Sequence, residues 1–176
     1  IVRGRIEVLG KHTDYAGGRS LLAAVERGLT LVSIPRADAR VHVAALGMGE
    51  TADFALDAVL QPVPGWANYP MTVARRLARD FPGIGPGADI ALRGDLPPAA
   101  GMSSSSALVV GTFLCLAAAS DLLRDPRFAS EVDDLDALAS YLAAVESGQG
   151  FGSLPGDAGV GTHGGSEDHT AILSPR

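Results

Sequence analysis

The chain has 176 residues, of which 47% are hydrophobic and 19% are charged, enough apolar material for one well-formed core. Its formal net charge of −6 argues against nucleic acid or an anionic membrane as a partner. A single cysteine, Cys115, excludes a disulfide framework, and we expect its thiol to be buried in the core. The apolar run around it is interrupted by polar residues, which argues against a membrane span. With no signal peptide apparent, we expect a cytoplasmic protein.

The first third of the chain has the composition of strands. Ile6 and Val8 alternate with polar residues before Gly10, and two later apolar segments flank a turn that contains two glycines. The residues 21–34 are largely apolar and β-branched, which predicts one long strand or two shorter ones. The further predicted strands are 41–46 and 52–56, as an antiparallel pair, and 88–92 and 169–173 as short single strands.

Helical spacing dominates the rest of the chain. Apolar residues recur at intervals of about four over 66–81, before Pro82 and Gly83. A second helix is predicted from about 104 to 123, and a third around Leu135 to Val145, capped by Asp133 or Asp134 and stopped by Gly148. Strands followed by helices predict an α+β domain, with a mainly antiparallel sheet and helices on one face.

Residues 4–15, with the sequence GRIEVLGKHTDY, combine four kinds of polar side chain at the end of the first apolar run. Arg5 supplies a cation, His12 an imidazole, Asp14 a carboxylate and Tyr15 a phenol. Such a group suits the binding of a polar substrate. A polar turn with Asp14 as a cap and Tyr15 packed against the core explains the same residues.

Residues 96–108 form a loop of small residues that leads into the second predicted helix. Backbone N–H groups of the loop and the helix N-terminus could bind phosphate, Gly101 allows close approach, and serine hydroxyls can donate to phosphate or bind Mg²⁺. The alternative is a serine-rich cap on a core helix. No G-x-x-x-x-G-K-[ST] sequence occurs, which excludes a Walker-type phosphate loop.

A third candidate is Asp168, which follows a segment with eight glycines among residues 148–165. A carboxylate placed there could accept a hydroxyl proton, although by itself it could also be an ordinary loop aspartate. Glycines let a backbone approach a ligand closely, so this segment could form part of a site.

Taken together and in order, four motifs resemble the N-terminal half of a galactokinase in the GHMP kinase superfamily. The family signature G-R-x-N-L-I-G-E-H-x-D-Y is similar to residues 4–15, and its loop P-x-x-x-G-L-S-S-S-A is similar to residues 97–107. A W-A-N-Y stretch is present at 66–69 and a G-x-x-D stretch at 165–168. The resemblance spans nearly the whole chain.

The resemblance implies the fold of the GHMP kinase N-terminal domain, which is ribosomal protein S5 domain 2-like, and an ATP-dependent, Mg²⁺-dependent sugar 1-kinase. It implies Asp168 as the catalytic carboxylate, with Arg5 beside it to steady the transferring phosphoryl group. It implies substrate contacts from Lys11, His12, Asp14 and Gly165, nucleotide contacts from Trp66, Pro98, Ala100, Gly101, Ser103, Ser104 and Ser105, and metal ligands from Ser105 and Glu146. Trp66 could instead pack against a helix.

Both polar positions in the middle of the signature are changed here. Glu7 replaces its Asn, and Lys11 replaces its Glu, so a hydrogen-bond acceptor for a sugar hydroxyl becomes a donor. One consequence could be a sugar that carries a carboxylate, such as a hexuronic acid, or another sugar such as arabinose; the alternative is that Lys11 pairs with Glu7 and faces away. The rival functions are a catalytically silent sugar sensor and a kinase for a non-sugar alcohol such as mevalonate.

We expect residues 1–176 to form a single N-terminal domain that lacks the family's C-terminal domain. Family members bind substrates in a cleft between two domains, so the isolated chain is expected to be inactive. The surface that forms its side of this cleft is expected to contact its own C-terminal domain or to associate with a second copy of the chain.

Overall fold

A five-stranded sheet forms one layer of the domain. The structure is a computed structural model, and it describes residues 1–10, 18–97, 100–162 and 164–174. The strand order is β1-β2-β5-β3-β4. Neighbouring strands are antiparallel except β3 and β5, which are parallel. The strands are β1 (Val2–Leu9), β2 (Leu21–Pro35), β3 (Arg40–Ala45), β4 (Glu50–Ala55) and β5 (Ala88–Gly94).

Strand alternation decides which face of the sheet holds the core. Val41, Val43 and Ala45 of β3 are buried, whereas the residues between them lie on the more exposed face. The same alternation runs along β5, where Ala88, Ile90 and Leu92 are buried. The sheet is therefore mainly antiparallel with one covered face, which confirms the predicted α+β class.

The described residues form five α-helices, which pack on that side of the sheet directly or through one another. α1 and α4 begin and end close to the positions that the sequence predicts, and α4 has the predicted cap: the Asp134 carboxylate accepts from the backbone N–H of Ala137 at 2.7 Å. Gly148 ends α4 with a φ of +80°. The helices are α1 (Asn68–Asp80), α2 (Ser104–Ala119), α3 (Pro126–Glu131), α4 (Leu135–Ser147) and α5 (Glu167–Leu173).

The central element is α2, which is buried on nearly every side between the sheet and the other helices. Around it, Phe81, Phe113, Phe128 and Tyr141 form a cluster of edge-to-face and stacked rings with centroids 5.5 to 6.4 Å apart. Among the helices that the structure describes, none combines the length and the apolar character needed to cross a bilayer.

The structure corrects three sequence predictions. The second helix stops at Ala119 rather than near 123, and a single 3₁₀ turn follows at Leu122–Arg124. The short helix α3 was not predicted. The segment 169–173, predicted as a final strand, lies instead in α5. Because α5 begins at Glu167, Asp168 lies in the first turn of a helix and not before a strand.

Candidate functional site

An ion pair between the first strand and the last helix forms the centre of the candidate site. Arg5 Nε on β1 donates to Asp168 Oδ1 on α5 at 2.5 Å. The two side chains are 13% and 22% exposed, so both are shielded from solvent on one side and reachable from the other. The sequence places these residues 163 positions apart, and the packing of α5 against β1 brings them together.

The serine-rich loop is fixed to the same strand. Arg5 Nη1 donates to the carbonyl oxygen of Gly101 at 2.9 Å, and the backbone N–H of Arg5 donates to the carbonyl of Met102 at 3.2 Å. Gly101 has a φ of +66°, a conformation that favours glycine, and a Cβ built there would meet nothing within 4 Å. Arg5 therefore contacts both the loop and the carboxylate of Asp168.

Two serines approach the other oxygen of that carboxylate. Ser103 Oγ donates to Asp168 Oδ2, and Ser106 Oγ lies 3.5 Å from the same atom. Ser106 is buried, at 3% exposure, whereas Ser103 is partly exposed. Both oxygens of Asp168 thus face hydrogen-bond donors.

Two cavities adjoin this cluster, and Ser105 lines both of them. The first, of about 260 Å³, is formed by Arg5 and the loop residues, including Ala100, Gly101, Ser103 and Ser104. The second, of about 220 Å³, is lined by Glu146, Thr162, Gly165 and Asp168, among others. The arrangement offers one space beside the loop backbone and a second space beside two carboxylates.

The donor set of the second cavity is compatible with Mg²⁺. A serine hydroxyl and a carboxylate, from Ser105 and Glu146, are hard oxygen ligands, and Glu146 Oε2 accepts no hydrogen bond of good geometry from the described residues. No cluster of three or more His, Cys, Asp or Glu side chains able to hold a metal occurs within the described ranges. A Mg²⁺ ion here would keep waters and take further ligands from substrate phosphates, as this ion usually does.

The structure therefore brings together most of the site residues that the sequence suggests. Those that line the two cavities are Arg5, Ala100, Gly101, Ser103, Ser104, Ser105, Glu146, Gly165 and Asp168. Trp66 lies elsewhere: its indole N–H donates to Glu50 at 2.5 Å, beside the β4 edge of the sheet, the edge opposite β1. The suggested residues Lys11, His12, Asp14 and Pro98 lie outside the described residues. The roles assigned to all of these residues stay predictions.

Sequence reasoning missed Ser106 and His169. His169 is 3% exposed, and its Nε2 lies 3.1 Å from Glu146 Oε2. Its place next to Asp168 was a usable signal, because an imidazole beside a candidate catalytic carboxylate lies close to the same site. Ser106 offered a weaker signal, since one more serine in a serine-rich loop does not indicate which hydroxyl faces inward.

The glycine-rich segment after α4 is held by buried arginines of α1. Arg75 Nε donates to Asp157 at 2.7 Å, and Arg76 Nη1 donates to the carbonyl of Gln149 at 2.9 Å. The pKa of Asp157 is lowered: burial, the largest single influence, raises it, but the hydrogen bonds from Arg75 and the Gly159 backbone, with the charges of both arginines, outweigh burial. The segment that leads from Glu146 towards Gly165 is therefore tied to the core at these points.

Comparison with known proteins identifies the family. The GHMP kinases N terminal domain matches residues 68–165, and the galactokinase galactose-binding signature matches residues 3–34. The chain is 34% identical over 109 residues to the galactokinase of Actinobacillus succinogenes, which covers 61% of this chain and 28% of that protein. It is 34% identical over 108 residues to the galactokinase of Staphylococcus saprophyticus, with 60% and 28% covered. The matched segment thus spans little more than a quarter of these relatives.

Solved structures agree with this assignment. The Lactococcus lactis galactokinase complexed with galactose superposes with a TM-score of 0.76 at 25% identity, covering 99% of this chain and 41% of that one. The Methanococcus jannaschii mevalonate kinase shares the fold, with a TM-score of 0.73 at 16% identity, covering 99% of this chain and 50% of that one. On these matches the chain belongs to the GHMP kinase family, as its N-terminal domain with the galactokinase signature.

Proposed function

We propose that the protein is a sugar kinase that transfers the γ-phosphoryl group of ATP to the anomeric hydroxyl of galactose or a related monosaccharide. The observation that carries the proposal is the Arg5–Asp168 ion pair at the junction of the two cavities, with the serine loop hydrogen-bonded to the same arginine. The matched galactose-binding signature and the galactokinase relatives support a sugar as the acceptor.

Phosphoryl transfer depends on positioning and on charge neutralisation rather than on covalent catalysis by the protein. In the proposed reaction the sugar hydroxyl loses its proton to the Asp168 carboxylate while its oxygen bonds to the γ-phosphorus. The bond from that phosphorus to the β-phosphate oxygen breaks, and ADP leaves with the electron pair. The Arg5 guanidinium lies between the Asp168 carboxylate and the loop at Gly101. From there it would offset the charge on the transferring phosphoryl oxygens.

The phosphates would bind along the first cavity, where backbone N–H groups and the hydroxyls of Ser104 and Ser105 are available. Ser105 and Glu146 would hold Mg²⁺, which would neutralise phosphate charge. The second cavity would admit the acceptor, because Asp168 and Gly165 line it.

Replacement of the catalytic carboxylate tests the proposal. In the complete gene product, Asp168→Asn keeps the shape of the side chain and removes its charge, so kcat for galactose should fall more than about 100-fold while the Kd for ATP stays within about twofold. Asp121→Asn is the matched control, because Asp121 is exposed and its side chain pairs, within the described part of the chain, only with Arg124 of a surface turn. A fall of less than about tenfold, roughly 1.4 kcal/mol, would assign the proton transfer to another group.

The acceptor panel for this experiment includes arabinose and galacturonate beside galactose. Lys11 places an ammonium where the family signature has a carboxylate, so an acidic sugar is the specific alternative. A higher kcat/KM for galacturonate, lost in Lys11→Glu, would support that alternative. An unchanged preference for galactose in both proteins would eliminate it. Absence of turnover with every sugar would favour the sensor hypothesis instead.

A further inference from the structure

We propose that Ser103 is a positioning residue for Asp168 rather than a ligand of the nucleotide. This inference rests on the proposed kinase function and changes the role that the family resemblance suggests for the residue. The geometry points to a serine whose hydroxyl is committed to the carboxylate, so that the loop which binds phosphate also sets the orientation of the group that receives the proton.

The backbone of Ser103 is the first observation. Its φ of 51° and ψ of 46° lie in the left-handed region, which residues other than glycine seldom occupy because the Cβ is strained there. Ser103 is also the residue that precedes α2, where a serine normally accepts from a backbone N–H of the first turn. It makes no such cap here, because its side chain is directed to Asp168. The chain thus tolerates strain and an uncapped helix at the position that delivers this hydroxyl.

The second observation is that the Ser103 hydroxyl has a single proton to donate. A serine hydroxyl carries one proton, and Ser103 donates it to Asp168 Oδ2. A phosphate oxygen at neutral pH needs donors, and Ser103 has no other side-chain proton to give. Ser104 and Ser105 line the loop cavity, and within the described residues neither side chain bonds Asp168, so their hydroxyls suit the nucleotide and the metal.

The third observation is how the two carboxylate oxygens are divided. Oδ1 accepts from Arg5, and Oδ2 accepts from Ser103 with buried Ser106 3.5 Å away. Donors on both oxygens fix the plane of the carboxylate. Oδ2 faces two serine donors, whereas Oδ1 accepts from Arg5 and keeps a second lone pair, so a sugar hydroxyl can donate to Oδ1 without displacing either serine. Ser103 therefore orients Asp168 for the acceptor.

The experiment compares Ser103→Ala with Ser103→Gly in the complete gene product. Both remove the hydroxyl; alanine keeps the Cβ and therefore the backbone strain that Ser103 already carries, whereas glycine relieves it. We expect kcat to fall about tenfold in both, with KM and Kd for ATP within about twofold. A Kd for ATP weakened more than about tenfold in both variants would make Ser103 a nucleotide ligand and overturn the proposal. A loss of activity in Ser103→Ala together with full activity in Ser103→Gly would show that the backbone matters and the hydroxyl does not. That result would also overturn the proposal.

A double-mutant cycle separates this inference from the proposed function. If Ser103 acts through Asp168, Ser103→Ala should change the residual rate of Asp168→Asn by less than about twofold. Independent effects that multiply would overturn the positioning role. If Asp168→Asn itself keeps full activity, the kinase proposal fails before the serine is considered. Ser130→Ala, at an exposed serine of α3 that bonds only a nearby carbonyl, is the matched control.

Discussion

His169 is the residue whose surroundings bear most directly on the proposed Mg²⁺ site. It is 3% exposed, adjoins Asp168 in sequence, and lies with Nε2 3.1 Å from Glu146 Oε2. A buried carboxylate beside a cavity needs a partner that holds its rotamer. His169 Nε2 lies within reach of Glu146 Oε2 without the alignment of a hydrogen bond, and a small rotation of the imidazole would let it donate. Loss of such an outer partner usually weakens metal affinity 10- to 100-fold.

We therefore expect His169→Ala to weaken Mn²⁺ binding by about tenfold and His169→Gln, which keeps an amide donor, to weaken it less. The measurement is a Mn²⁺ titration followed by electron paramagnetic resonance, with a non-hydrolysable ATP analogue present in the complete gene product. His42→Ala is the control, because His42 lies half-exposed beside Asp53 on the opposite face of the sheet. An unchanged Mn²⁺ affinity in folded His169→Ala would remove this role.

At the level of single residues, sequence could suggest which groups carry the chemistry but not which atoms meet. Arg5 and Asp168 were suggested by motifs at the two ends of the chain, and their contact appears only once α5 packs on β1. Ser103 shows the limit most clearly. Its hydroxyl and its place in a serine-rich loop suggest phosphate binding. The backbone angle and the hydrogen-bond partner in the structure reveal that the hydroxyl faces a carboxylate instead.

At the level of elements, long periodic segments were predictable and short ones were not. The spacing that predicts α1 extends over four turns, whereas Thr170 to Leu173 is too short to distinguish a strand from a helix by apolar content. The missed signal was acidic: Glu167 and Asp168 stand in the first turn of α5, where negative charge favours a helix. Asp125 before Pro126 was a similar start signal for α3.

The buried pair Arg75–Asp157 links α1 to the glycine-rich segment, and its removal makes an element-scale prediction. Both side chains are 5% exposed. Asp157→Asn leaves the guanidinium without its counter-charge, so the free energy of unfolding at pH 7 should fall by about 2 kcal/mol. Asp121→Asn, in an exposed ion pair, should change it by less than about 0.5 kcal/mol. Chemical denaturation of the complete gene product measures both.

The pH dependence of that difference follows from the lowered pKa of Asp157. A carboxyl whose folded pKa lies below its ordinary 3.8 stabilises the fold at pH values above 3.8, and this contribution disappears as the pH falls through the folded pKa. The gap between the parent and Asp157→Asn should therefore be constant from pH 7 to about 5 and narrow below 3.8. A gap that widens in acid would contradict this assignment.

At the level of the whole molecule, the domain exposes more surface than its mass requires. Its accessible surface is 8868 Å², whereas a compact monomer of 18.0 kDa has roughly 8,000 Å² by the usual scaling. Exposed apolar side chains contribute to this surface where β1 ends and β2 begins. Val8, Leu9 and Leu21 are each more than half exposed there. Leu9 and Leu21 are paired across the two strands, and exposed apolar side chains grouped in this way are typical of a face that another domain or subunit covers.

The same geometry leaves the candidate site open on one side, and this makes the last prediction. Arg5 and Asp168 are reachable from solvent through cavities that one domain alone lines, while small ligands normally have most of their surface enclosed. A polypeptide of these 176 residues should therefore unfold cooperatively on heating, because its described residues bury one hydrophobic core, yet show less than about 1% of the sugar phosphorylation of a galactokinase-length protein that contains them. A coupled ADP-release assay with ATP, Mg²⁺ and galactose provides the measurement, and the thermal transition controls for misfolding. Turnover near that of the longer protein would mean that this domain alone encloses its substrates. The exposed apolar side chains of Leu9 and Leu21 would then need another explanation.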